Sequence, residues 1–278
     1  IGGSPGHSGH LTLRDVSSGE ARDVAPSIPG SERTVLTAAA VSPRHTVLSA
    51  GFAQTGSTAR YFLAASDAHG GNQRIIDTHG YLASAVCEGA GDTIWALGTK
   101  PHATGKPPFQ ALRHYDSRGN ILDQALPTRT SDQEFQLAGI DPKQIRLVCT
   151  QDNVFVYDAI QKRLYRYGTG THKTESWVVE GPAGLGDTQV TGFAVSSENK
   201  IFLSLKEGEN RQHAVRGLFQ LVGTKGLHAE LRPVAGTVYA RKAPGQFWLL
   251  LGADGKDLVY VSRPAPGHTE LLNWSPPD

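Results

Sequence analysis

Methionine is absent from all 278 residues and cysteine occurs only twice. A chain that begins at Ile1 and has no methionine reads as a processed or trimmed product with its natural amino terminus upstream, removal of a signal peptide being one of two explanations. Long apolar runs are also missing. The most apolar stretch, Phe247 to Leu251, is only strand-sized, which excludes the membrane helix that 18 or more consecutive apolar residues would make. Neither sign of charge dominates: 27 Lys and Arg face 26 Asp and Glu, a net charge of +1 that provides no field for nucleic acid or anionic lipid. With 38% hydrophobic and 19% charged residues, the chain can bury a core and lacks the composition of a disordered one. No segment carries a helical pattern of ten or more residues. What is plentiful is turn chemistry, 32 Gly and 16 Pro, which suits a turn-rich protein in the secreted or periplasmic space.

The sequence repeats. Five segments pair a β-branched or aromatic residue with a large apolar one: Val47-Leu48, Ile94-Trp95, Val154-Phe155, Ile201-Phe202 and Phe247-Trp248, each after a polar turn. A second alternating segment follows each, starting near Tyr61, Leu112, Leu164, Leu218 and Leu258, and a sixth copy starts at Leu11. Periods of roughly 40 to 50 residues are the signature of blade architectures. Two hairpins per period give four antiparallel strands per unit, and units that cannot bury both faces alone pack face to face in a ring. The expected fold is therefore an all-β propeller of about six four-stranded blades with an incomplete amino-terminal blade. Residues 1–9 read as a flexible tail and 10–278 as one domain. The segment Thr237 to Trp274 reads as a complete blade, and the recurring aromatic column as packing between blades rather than a ligand pocket.

Through Tyr115-Asp116-Ser117-Arg118-Gly119-Asn120 and its counterparts, the chain resembles the six-bladed propellers that include NHL-repeat and TolB-like proteins. That resemblance implies hydrolases, lyases, ligand binders and scaffolds as precedents, and selects none of them.

Chemistry-bearing motifs are sparse. Cys87 and Cys149 each follow a valine at the end of an inner strand. Equivalent side chains in radial repeats point in the same rotational sense, so buried free thiols are expected in preference to a disulfide. His7 and His10 are the only close histidine pair and sit in the tail, so no metal site is expected. No cofactor is expected either, though sequence spacing leaves a channel calcium with ligands from several blades open. Gly6-His7-Ser8-Gly9 has the wrong spacing for a nucleophile elbow, and Gly89-Ala90-Gly91 and Gly168-Thr169-Gly170 are turns rather than nucleotide loops.

Loops remain. Gly98 to Gln110, Lys206 to Arg216 and Thr128 to Arg146 all emerge at the same end of the blades, and bring Lys100, His102, Arg129, Asp132, Arg211 and His213 there as candidate ligand-binding residues. The reading this favours is a binding or scaffold propeller engaging a protein, glycan or small ligand, within a longer envelope protein. The alternative is a lactone or ester hydrolase or a lyase, using a channel-mouth metal or His79 as general base.

Overall fold

The computed structural model describes residues 9–15, 18–100, 110–127, 145–181, 188–207, 216–234, 237, 249–265 and 268–275. The chain forms two compact units, residues 1–160 with 167–174, and residues 161–166 with 175–278.

The first unit opens with the hairpin β1 (Leu11–Arg14) and β2 (Ala21–Val24). A four-stranded antiparallel meander follows, β3 (Arg33–Val41), β4 (Val47–Thr55), β5 (Thr58–Ser66) and β6 (Arg74–Asp77). The next meander repeats it with β7 (Leu82–Glu88), β8 (Ile94–Thr99), β9 (Gln110–Tyr115) and β10 (Ile121–Pro127). A third comprises β11 (Ile145–Cys149), β12 (Asn153–Asp158), β13 (Arg163–Gly168) and β14 (Lys173–Val178), and the boundary between the units runs along it. The second unit continues with β15 (Thr188–Val195), β16 (Ile201–Glu207), β17 (Arg216–Lys225) and β18 (His228–Pro233), then β19 (Leu249–Asp254), β20 (Asp257–Ala265) and β21 (His268–Trp274).

Sheet geometry explains why these residues pack as blades. Side chains alternate between faces, so each strand of a blade serves two interfaces. In β4, Val47 packs with Leu11, Phe62 and Ala64 toward the preceding hairpin, whereas Leu48 packs with Leu63, Ile94 and Tyr115 toward the following blade. Leu48, Trp95, Phe155 and Phe202 are all buried, so the repeated large residue is packing. Phe247 and Trp248 lie outside the described residues.

The innermost strands share an irregularity. Register shifts occur at Leu36/Ala38 in β3, Ala83/Ala85 in β7 and Val190/Gly192 in β15. Such bulges bring the backbone close to the facing strand, which opposite β3 and β7 carries glycine, Gly51 and Gly98. A Cβ on Gly51 would lie 1.9 Å from the Val35 carbonyl oxygen, and one on Gly98 2.1 Å from that of Leu82. The strand β19 has the same shift, at Leu250/Gly252, and packs on β15 and β16 as β7 packs on β3 and β4. It is thus the innermost strand of its sheet. Of the expected unit over Thr237 to Trp274 three strands are described, beginning with an inner one at Leu249, and residues 238–248 lie outside the described residues.

The cysteines overturn the free-thiol expectation. Cys87 and Cys149 form a disulfide with Cα atoms 5.7 Å apart. Cys87 pairs across the sheet with Trp95, whereas Cys149 pairs with Val154, the counterpart of Ile94. Cross-strand partners share a face, so this one-residue offset puts the two thiols on opposite faces of successive blades. They therefore meet in the interface instead of pointing the same way round.

Candidate functional site

Each blade has a turn end, where its first strand meets its second and its third meets its fourth, and a crossover end, where its second meets its third. Turn-end loops are built by side chains that saturate the backbone. Asp116 accepts the amides of Arg118 and Asn120 at 2.8 Å each and the Asn120 side-chain amide at 2.7 Å. Asp67 does the same for His69, Gly71 and Asn72. These hydrogen bonds hold both carboxyls below the usual carboxylate range; for Asp116 the Asn120 side chain contributes most, for Asp67 the backbone amide of His69. In the first-to-second turns a serine plays that part: Ser42 Oγ accepts the amides of Arg44 and Thr46, and Ser196 Oγ that of Lys200.

Between the turn ends of the β3–β6 and β7–β10 blades lies a cleft of about 340 Å³. Leu48, Ala65 and Ile94 contribute its apolar surface, and Arg44, Thr46, Asp67, Asn72, Arg74, Glu88, Asp92 and Thr93 its polar surface. Arg44 reaches from one blade's turn to the next, 2.8 Å from Glu88 and 3.3 Å from Asp92, and donates to the Gly89 carbonyl. Its hydrogen bond to Glu88 holds the guanidinium pKa above its ordinary value. Thr46 donates to the same Glu88 carboxylate at 3.0 Å, and Arg74 donates to the Asp92 carbonyl at 2.7 Å. The cleft thus offers hydrogen-bond donors and acceptors around a small apolar floor.

The second unit has the counterpart of this clasp with its charges reversed. Glu198 holds the turn position that Arg44 holds, and pairs with Lys200 at 3.0 Å and, from the next blade's turn, Lys256 at 2.6 Å.

A second polar cluster occupies the first unit. The Tyr167 hydroxyl donates to Asp123 Oδ2 at 2.6 Å, and His172 Nδ1 lies 3.1 Å from the same oxygen. Desolvation, together with the Asp123 carboxylate, raises the Tyr167 pKa well above its ordinary value. Trp95 stacks on the His114 ring at 4.2 Å and meets Tyr167 edge-on, and desolvation lowers the His114 pKa.

Of the residues expected from sequence, Lys100 is exposed just beyond the end of β8, at the crossover end. His102, Arg129, Asp132, Arg211 and His213 lie outside the described residues. His79 sits in the link from β6 to β7 with a positive φ and a side chain 86% exposed, its Nδ1 3.5 Å from Asp77. Neither Lys100 nor His79 lines the cleft. Sequence reading passed over Arg44, Arg74, Glu88 and Asp92 because they sit in generic-looking turns or, for Arg74 and Glu88, at the strand ends beside them. The available signal was the matching of Ser42-Pro43-Arg44-His45-Thr46 with Ser196-Ser197-Glu198-Asn199-Lys200, in which the charge inverts. Among the described residues no three His, Cys, Asp or Glu side chains converge as a metal site, and no helix is long and apolar enough to cross a membrane.

No family model matches the chain, and no curated protein does. Solved structures do. It is similar to a chain of a nidogen/laminin complex at 11% identity, covering 97% of this chain and 91% of that one, with a TM-score of 0.47. An α-L-arabinanase of Penicillium chrysogenum complexed with arabinobiose gives 12% identity, 96% and 86% coverage and a TM-score of 0.45. The WD40 repeats of RRP9 give 10%, 99% and 86%, and 0.41. The fold class is the β-propeller. At these identities and scores the neighbours carry no argument about function, and they do not single out the NHL-repeat or TolB-like families.

Proposed function

We propose that the chain is an extracytoplasmic binding or scaffold propeller that takes a small polar ligand, or a protruding group of a glycan or protein partner, in the cleft between the β3–β6 and β7–β10 blades. The observation that carries this reading is how the cleft's charged groups are engaged. Glu88 is neutralised by Arg44 and hydrogen-bonded by Thr46, and Asp67 is taken up by its own loop. Carboxylates so paired make poor general bases, whereas fixed donors and acceptors over an apolar floor are what recognition needs. An oxidising compartment fits the disulfide, since such bridges are rare in reducing cytosol.

The enzyme alternative rests on His172, with Asp123 placed 3.1 Å away to orient its Nδ1 as a carboxylate orients a catalytic imidazole, and not on the more exposed His79 with Asp77 at 3.5 Å. The test is capture of partners and of a small-molecule and glycan panel by the whole chain, repeated with Arg74→Ala and Arg44→Ala and with Lys100→Ala and His79→Ala. Loss of binding confined to the first pair supports the cleft. Loss confined to the second pair moves the site to the crossover end and refutes the assignment. Turnover of a lactone or ester panel that His172→Ala abolishes would replace the binding reading with the enzymatic one.

A further inference from the structure

The interface between the β3–β6 and β7–β10 blades contains a cation for which the described residues provide no counter-charge. Arg113, in the middle of β9, is 8% exposed, and its guanidinium carbon lies 4.5 Å above the Tyr81 ring. Its Nε is buried without a hydrogen-bond partner. The neighbouring Tyr115 hydroxyl, on a side chain 1% exposed, is likewise buried without a partner of ordinary geometry. Burial raises the Tyr115 pKa, with the Arg113 guanidinium pulling the other way, so the phenol keeps its proton. The Arg113 Nε–H and the Tyr115 O–H therefore share one desolvated place in which the described residues offer them no acceptor of ordinary geometry.

Among the described residues nothing neutralises them. Arg113 pairs across the sheet with Ala96 and Tyr115 with Ile94, which fixes the face they share. The opposite blade presents Ala38, Leu48, Ala50, Leu63 and Ile76. The Tyr81 hydroxyl is spent on the carbonyls of Ala96 and Ala111. Asp77 pairs with Phe62 and so occupies the other face of its blade. Glu88 shares the face of Tyr115, yet Ile94 separates them in the sheet and Arg44 and Thr46 occupy its carboxylate.

A guanidinium cannot shed its proton, and a buried unpaired charge costs several kcal/mol. A water would accept the hydrogen bonds but leave the charge. We infer that Arg113 and Tyr115 hold a small monoanion of chloride size between these blades. An acceptor-only anion satisfies both donors and balances the guanidinium, and the burial of all three side chains leaves large oxyanions no place. This site is separate from the cleft at the turn end and does not depend on what the cleft binds.

The experiment uses the whole chain. Crystals grown in sodium bromide are expected to give an anomalous peak against the Arg113 guanidinium and the Tyr115 hydroxyl. The melting temperature is expected to rise by at least about 3 °C from 1 to 100 mM chloride at constant ionic strength made up with gluconate, by mass action. Arg113→Met should abolish the rise. Tyr115→Phe keeps the ring in the buried cluster and removes one of the two donors, and should raise the chloride midpoint at least about fivefold. A melting temperature indifferent to chloride, a midpoint unchanged in Tyr115→Phe, or density showing a water or one of the chain's own carboxylates on Arg113 would overturn the inference.

Discussion

Breaking the Cys87–Cys149 bridge should cost the first unit much of its stability. The cysteines are 62 residues apart, and both lie in the unit formed by residues 1–160 and 167–174. Closing a loop of that length removes about 14 cal/mol/K from the unfolded chain, or about 4 kcal/mol at 25 °C. For units of this size each kcal/mol corresponds to roughly 2–4 °C, so the shift is roughly 8–16 °C. The assay is thermal unfolding of the oxidised protein, of the same protein with a phosphine reductant, and of a Cys87→Ala/Cys149→Ala variant. Both perturbed samples should melt lower by a similar amount, because the loop-closure constraint is what each removes. Agreement of all three within 2 °C, or titration of two free thiols in the denatured unreduced protein, would refute the reasoning.

Three further outcomes are expected. A double-mutant cycle on Arg44 and Glu88 should give a coupling of about 1–2 kcal/mol, because the Glu88 side chain is only 9% exposed. The cycle on Glu198 and Lys256, whose lysine is 73% exposed, should fall in the range of about 0–1 kcal/mol; equal couplings would contradict the burial argument. Gly98→Ala should destabilise by about 2–3 kcal/mol in chemical denaturation, since its Cβ meets backbone rather than a movable side chain; a neutral result would mean the β7 bulge can move aside. Asp116 has a folded pKa below its ordinary 3.8, so its stabilisation is complete above that value and is lost as pH falls through the lower folded one. The stability gap between wild type and Asp116→Ala should therefore be constant near neutrality and close in acid, and a gap that widened in acid would show the sign to be wrong.

Much of the local structure was legible because it depends on near neighbours. Alternation located β4, β8, β12 and β16, and the turns at Ser42, Asp116 and Ser196 are closed by side chains within a few residues. The last blade was harder. The Phe247-Trp248 pair matched the repeated motif and lies outside the described residues, and it is the bulge and packing of β19 that mark an inner strand from Leu249.

The candidate site was largely illegible. Arg44 owes its role to Glu88 and Asp92, which lie more than forty positions on and approach it only when two turns are brought side by side. The cysteines show the limit sharply. Both follow a valine, and nothing local distinguishes them; strand register makes one the partner of Trp95 and the other of Val154. Because faces alternate with every residue, an offset of one separates thiols that face away from thiols that bond. The amino-acid sequence by itself determined the all-β class, the strand period and the turns, since these follow from hydrophobic alternation and short-range hydrogen bonds. Only the tertiary structure decided the disulfide, the cleft and the buried Arg113, since each depends on which faces of successive blades are pressed together.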